Sequence, residues 1–212
     1  MEYRNEDFLV DEPKGAATAT IVLAHGAGAA MDSAFMNIIA AGLAANKMRV
    51  VRFEFPYMHA RRTGGKRGAP DREPKLLEHW RAVVAALGGG AKLVLGGKSM
   101  GGRIASMVAD EVGARGLVCF GYPFHPPGNT SRLRVKHLES IRTPALIVQG
   151  ERDSFGKRDE VARYQLSRKI RFEWMPDGDH SLKPRASSGR TEAQNLEVAI
   201  SAASDFITSL PR

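Results

Sequence analysis

The stretch that decides the fold is Leu95-Gly-Gly-Lys-Ser-Met-Gly-Gly-Arg103. Within it, Gly97-Lys98-Ser99-Met100-Gly101 matches G-x-S-x-G, directly after a short apolar run and directly before a helical pattern. A sharp strand-to-helix turn holds a serine exposed and strained, so the residues two before and two after it must lack side chains. A helix starting at Met100 aims its free N–H groups and positive dipole end at developing negative charge. Glycine-rich turns contain such a pattern by chance; the flanking strand and helix are what give it weight.

Outward from this string the chain alternates. Short apolar runs stand at Thr20–Ala24, Val50–Phe55, Lys92–Leu95, Gly116–Phe120, Ala145–Val148 and Ile170–Trp174, as buried parallel strands do. Between them lie helical spacings. One runs through Phe35, Met36, Ile38, Ile39 and Leu43 behind Asp32 as N-cap. Another runs through Leu76, Leu77, Trp80, Val83, Val84 and Leu87 behind Pro74 in a first turn. A third runs through Ile104, Met107, Val108 and Val112, and two more are expected over Glu160–Leu166 and Thr191–Leu210. Regular alternation predicts an α/β fold: a three-layer α/β/α sandwich with a mainly parallel sheet. Two loops break the rhythm, His59–Glu73 and Tyr122–Arg142, the second with a short helix-like piece through Leu133, Val135 and Leu138. Both follow strand ends, where an open parallel sheet places its ligand crevice.

Composition bounds the function. The chain has 212 residues, 43% hydrophobic and 25% charged, so one ordered domain over 1–212 with no inserted cap is expected. One cysteine, Cys119, excludes an internal disulfide and suits a reducing compartment. The start, with Glu2, Arg4, Glu6 and Asp7, lacks the pattern of a secretory leader, and apolar runs of about 7 residues at most fall short of a membrane span. A cytoplasmic protein without membrane contact is the expectation. Lys plus Arg exceed Asp plus Glu by 31 to 23, a formal charge of +8.

A serine hydroxyl needs a base oriented by an acid, and after such a nucleophile turn the partners follow in the order acid, then histidine. Asp153 follows the strand Ala145–Val148, and His180 follows Ile170–Trp174. Ser99, Asp153 and His180 are the candidate catalytic residues. Glu151 is the runner-up acid, and Asp177 and Asp179 are weaker because loop neighbours seldom bridge back to the far ring nitrogen. His59, His79, His125 and His137 do not follow the last strand. The oxyanion hole is expected from the backbone N–H groups of Met100 and of Ala27, in the loop His25-Gly-Ala-Gly-Ala29. His25 is read as holding that loop rather than as a base.

On these residues the chain resembles a small α/β-hydrolase, similar in layout to dienelactone-hydrolase-like and carboxylesterase members, from about Thr20 to Leu210. Gly-Gly-Lys-Ser-Met-Gly-Gly-Arg103 and Asp-Gly-Asp-His180-Ser-Leu-Lys-Pro resemble, more narrowly, a compact subgroup related to a scaffold subunit of a histone-acetyltransferase complex. The resemblance implies the fold and the roles of Ser99, Asp153 and His180. The chain departs from dienelactone hydrolases, which use cysteine where Ser99 stands. Its loop reads His-Gly-Ala-Gly rather than the His-Gly-Gly-Gly of many lipases, and Lys98 is a basic residue beside the nucleophile.

Other chemistries fit less well. Gly26-Ala-Gly-Ala-Ala-Met31 nearly matches the dinucleotide fingerprint, with Glu54 downstream, but Met31 stands where tight packing wants Gly or Ala. Gly97-Lys98-Ser99 lacks the first glycine of a phosphate loop, and no metal-ligand spacing is seen. The basic run Arg61-Arg-Thr-Gly-Gly-Lys-Arg67 has three readings: a solvated loop, a pocket wall whose Arg61, Arg62, Lys66 and Arg67 bind a substrate anion, or a nucleic-acid contact. The last is set aside because no binding module accompanies it. Phe124 and His125 are candidate lining of the same pocket. The expected function is a cofactor-free serine hydrolase acting on a small ester or thioester, with an anionic substrate as one option. The rival is a non-catalytic scaffold that uses its basic face for a partner.

Overall fold

Seven strands form one sheet in the order β1-β3-β2-β4-β5-β6-β7. They are β1 (Phe8–Asp11), β2 (Ala19–Ala24), β3 (Met48–Phe53), β4 (Leu93–Lys98), β5 (Gly116–Phe120), β6 (Ala145–Gly150) and β7 (Ile170–Met175). All neighbours run parallel except β1, which lies antiparallel on β3. The structure, a computed structural model, describes residues 7–65 and 68–211. The helices are α1 (Ala34–Ala45), α2 (Pro56–Arg62), α3 (Glu73–Ala86), α4 (Met100–Val108), α5 (Arg158–Val161) and α6 (Glu192–Ser209). The expected α/β/α sandwich is the fold observed. Among the described residues no helix is long and apolar enough to cross a membrane.

The continuous apolar strands follow from burial on both faces. Along β2, Ile21 and Leu23 pack with Ile39 and Leu43 of α1 and with Leu196 and Phe206 of α6. The alternate residues Val22 and Ala24 face the other core, with Trp80 of α3 and Ile104 of α4. All six residues of β6 are buried. Strand order reverses between β2 and β4, whose ends pair as Ala24 with Gly97. That reversal is the switch point at which such sheets open a crevice, and it sets the loop after β2 beside Ser99.

Four local expectations are corrected. The first helix is capped at Ser33, not Asp32; Asp32 accepts from Arg62 instead. The segment from His59 begins inside α2, because Pro56 sits in that helix's first turn and pre-sets its backbone. The helix expected over Glu160–Leu166 is the short α5. The edge strand β1 was not expected; it is held by pairing with β3 and by Asp11 accepting from the buried Arg52 at 2.8 Å.

Two histidines, the buried His79 and the half-buried His137, couple stability to acid. His79 bonds the Glu54 carbonyl at 2.9 Å, and His137 packs against α4. Burial pushes both down from 6.5 to about 4. The unfolded chain therefore binds more protons between those values, so stability rises with pH there and is lost as pH falls from about 6.5 toward 4. Tm is expected to drop across that window, and His137→Asn is expected to flatten part of the slope; a pH-independent Tm there would contradict this account.

Candidate active site

The turn after β4 holds Ser99 at φ 52° and ψ −117°, a left-handed conformation costly for a side-chain-bearing residue. The surroundings enforce it. A Cβ on Gly97 would lie 2.3 Å from the Ala24 carbonyl oxygen, and one on Gly101 would lie 2.4 and 2.6 Å from the oxygens of Ala24 and His25. The G-x-S-x-G spacing is thus a packing requirement against the end of β2. The Ser99 N–H donates to the Phe120 carbonyl at 3.0 Å, tying the turn to β5. Met100 opens α4, so its N–H has no acceptor within the helix.

Ser99, Asp153 and His180 come together. Ser99 Oγ lies 2.8 Å from His180 Nε2, and His180 Nδ1 lies 2.8 Å from Asp153 Oδ2. Asp153 is fully buried, whereas the imidazole keeps part of its surface exposed. With Asp153 ionised, Nδ1 carries the proton and Nε2 faces the serine as acceptor. Asp153 is itself fixed: the Phe155 N–H donates to Oδ1 at 2.8 Å, and the Gln149 amide donates to Oδ2 at 2.9 Å. Gln149 also accepts from the Tyr122 N–H at 2.6 Å and donates to the carbonyls of Tyr122 and Gly156. The Phe155 ring lies 4.2 Å from the His180 ring, centroid to centroid.

The other acids are engaged elsewhere. Asp177 pairs with Arg185 and Arg152, and the Arg185 hydrogen bond holds its carboxyl down at about 2. Asp179 accepts from the N–H groups of Ser181 and Lys183, and Glu151 pairs with Arg158. A second serine–histidine pair, Ser106 and His137 at 2.8 Å, runs the opposite way. The Ser106 hydroxyl donates to the Arg103 carbonyl, so it accepts from the histidine and cannot be activated by it.

The loop after β2 lies against Ser99: a Cβ on Gly26 would sit 3.8 Å from Ser99 Cβ. His25 is fully buried, donates through Nδ1 to the Gly26 carbonyl at 2.7 Å, and accepts the Phe55 N–H at Nε2. Desolvation lowers its pKa, which keeps it neutral and in that tautomer. The Tyr57 hydroxyl donates to the Ala27 carbonyl at 3.0 Å. The Ala27 carbonyl is thus tied to α2, and the Gly26 carbonyl, through His25, to Phe55 between β3 and α2.

Beside this loop opens a cavity of about 470 Å³ lined by Gly28, Ala30, Asp32, Glu54, Met58, Arg61 and Arg62. Arg62 is spent within it, donating to Glu54 at 2.7 and 3.0 Å and to Asp32 at 2.9 Å. The Arg61 guanidinium lies 5.1 Å from the Tyr57 ring centroid and donates to the Gly68 carbonyl. Lys66 and Arg67, like the opening residues Met1–Glu6, lie outside the described residues. Phe124 and His125 are placed differently from expectation. Phe124 is in the core against Tyr122, Tyr164 and Phe172. His125 is buried, bonded to the Pro126 carbonyl and Glu160. Packing against Phe172 of β7 and Glu160 of α5 holds this segment inward, and neither residue lines the cavity.

Sequence reasoning missed Gln149 and Phe155. The signal for Gln149 was a lone polar residue closing an otherwise apolar buried strand, which must be satisfied internally. Phe155 left no signal, since its contact depends on how two loops meet.

A sequence model of the family described as alpha/beta hydrolase domain matches residues 17–208. Among solved structures, an alpha-beta serine hydrolase homologue from Coxiella burnetii aligns with a TM-score of 0.71 at 22% identity, over 92% of this chain and 90% of that one. An α/β serine hydrolase without lid from Xanthomonas campestris gives 0.70 at 20% identity, over 97% and 89%. A dienelactone hydrolase from Anabaena variabilis gives 0.70 at 20%, over 97% and 92%.

Proposed function

The chain belongs to the alpha/beta hydrolase domain family, and from that premise we propose that it is a serine hydrolase cleaving a small ester or thioester without a cofactor. The observation that carries this is the unbroken relay from Ser99 Oγ through His180 to Asp153, two contacts of 2.8 Å each. His180 Nε2 takes the proton as Ser99 Oγ attacks the carbonyl carbon. The oxyanion is held by the N–H groups of Met100 and Ala27. His180 then protonates the leaving alcohol or thiol, and water repeats the sequence to free the acid and Ser99. Asp153 stabilises the imidazolium and fixes its tautomer.

A fluorophosphonate probe tests this reading. The wild type is expected to be labelled and Ser99→Ala is not. Absence of wild-type labelling, or equal labelling of both, sinks the enzyme reading in favour of a scaffold.

The cavity beside the loop after β2 is the place we propose for a charged end of the substrate. Arg62 is held by both Glu54 and Asp32, which leaves Arg61 as the cation for a distal carboxylate. Arg61→Gln is expected to raise KM for a 4-nitrophenyl ester bearing a free carboxylate about fivefold, a loss of about 1 kcal/mol for a solvent-screened pair. KM for the neutral ester stays unchanged; equal effects on both would return Arg61 to the solvated surface.

A further inference from the structure

Lys98 closes β4, one residue before the nucleophile, yet its amine does not turn to solvent. Nζ reaches the loop after β7 and donates to the backbone carbonyl of His180. Its ammonium lies 5.5 Å from the Phe35 ring centroid, and a Cβ on Gly26 would lie 3.7 Å from its Cγ. At the end of β5, Gly121 leaves room for the contact. With φ +64°, a Cβ there would lie 2.7 Å from both Lys98 Nζ and the His180 oxygen, and 3.3 Å from His180 Nδ1. The contact spans β5 and β6 and joins the two strand ends between which the Ser99–His180 bond must be held.

We propose that Lys98 is a positioning residue for the hydrolysis proposed above, on which this inference rests: its ammonium grips the His180 carbonyl and so keeps the imidazole registered between Asp153 and Ser99. The cation is what makes the grip strong, because a charged donor bonds about twice as tightly as a neutral one. The charged and titratable groups facing it are Asp153 from the loop after β6, and Asp179 and His180 from the loop after β7. The loop after β2 offers Gly26, α1 offers Phe35 and the turn after β5 offers Gly121, none of which titrates. Burial outweighs the two carboxylates and lowers Lys98 to about 8. The ammonium is therefore present below that value and lost above it, and the grip weakens as pH rises through it.

The experiment is hydrolysis of 4-nitrophenyl acetate from about pH 6 to 10 by the wild type, Lys98→Arg and Lys98→Met, with the low-field proton resonance of the His180–Asp153 hydrogen bond followed by NMR. Wild-type kcat is expected to fall through about pH 8. Lys98→Arg, whose guanidinium does not titrate in this range, is expected to lose that fall. Lys98→Met is expected to lower kcat about 10- to 100-fold with KM within about twofold, at a level flat with pH, and to broaden the resonance. If Lys98→Met does not fold, the Lys98→Arg profile decides. Wild-type kcat in Lys98→Met, or an alkaline fall retained in Lys98→Arg, overturns the proposal. A wild type with neither Ser99-dependent turnover nor labelling sinks the hydrolase reading instead; the resonance then decides Lys98, broadening in Lys98→Met supporting it and an unchanged signal overturning it.

Discussion

Replacing Asp153 by asparagine is expected to lower kcat about 10⁴-fold, as when the acid of a serine triad becomes an amide. The carboxylate has both oxygens committed as acceptors. Oδ1 takes the Phe155 N–H, and Oδ2 takes the Gln149 amide together with His180 Nδ1–H. An asparagine must set its NH2 on one side or the other. On the Oδ1 side it opposes a backbone N–H that cannot turn. On the Oδ2 side it opposes Gln149 and drives His180 into the tautomer with Nε2–H, which has no lone pair for the Ser99 proton. Because Asp153 is fully buried, the unmatched donors also cost stability, on the order of 1–3 kcal/mol. Steady-state kinetics and thermal unfolding of Asp153→Asn check both. A variant with near-wild-type kcat would mean that His180 is not oriented by this carboxylate.

Gly101→Ala carries the second large effect, on stability first. The added methyl would lie 2.4 and 2.6 Å from the carbonyl oxygens of Ala24 and His25, where real contacts stay beyond 3.0 Å. Both obstacles are backbone, so no rotamer relieves the clash; either α4 or the end of β2 must move. Overpacking of this kind costs about 3 kcal/mol, which lowers Tm by about 6–12 °C in a chain of this size. Displacing His25 also shifts the loop that carries Ala27, so phosphonate labelling slows. Gly28→Ala is the control: nothing lies within 4 Å of a Cβ there, and its stability is expected to stay within about 0.5 kcal/mol of wild type. Equal melting of the two variants would refute the packing account of the turn.

These two predictions show which features were legible in the chain. The sheet was readable because β2, β4, β5 and β6 are buried on both faces, and double burial writes an unbroken apolar run. Ser99 was readable because its turn demands glycine at two fixed offsets, Asp153 because it follows such a run, and His180 because it follows the alternating edge strand β7. The edge strand β1 was not: four residues, one face toward solvent and a partner some forty residues away leave no periodic trace. The burial of Phe124 and His125 was hidden because the path of the Pro123–Gly128 segment depends on packing against β7 and α5, not on its own composition. Phe155, the reach of Lys98 and the partners of Gln149 were hidden for the same reason. Their partners are fixed by which strand ends come side by side, and a linear reading does not give that register.

The relay is assembled from parts far apart in sequence. Ser99 and His180 are separated by 81 positions, and Asp153 and His180 by 27. The strands that carry them are β4, β6 and β7, with β5 between the first two and β7 at the edge of the sheet. During synthesis or refolding the serine turn can therefore form while the base that activates it is still unattached. Until the last strand docks, the hydroxyl is an ordinary alcohol. On the proposed hydrolysis, nucleophilicity then arises only once β7 is in place, and the rate at which a refolding chain becomes reactive to phosphonate is expected to follow the docking of β7.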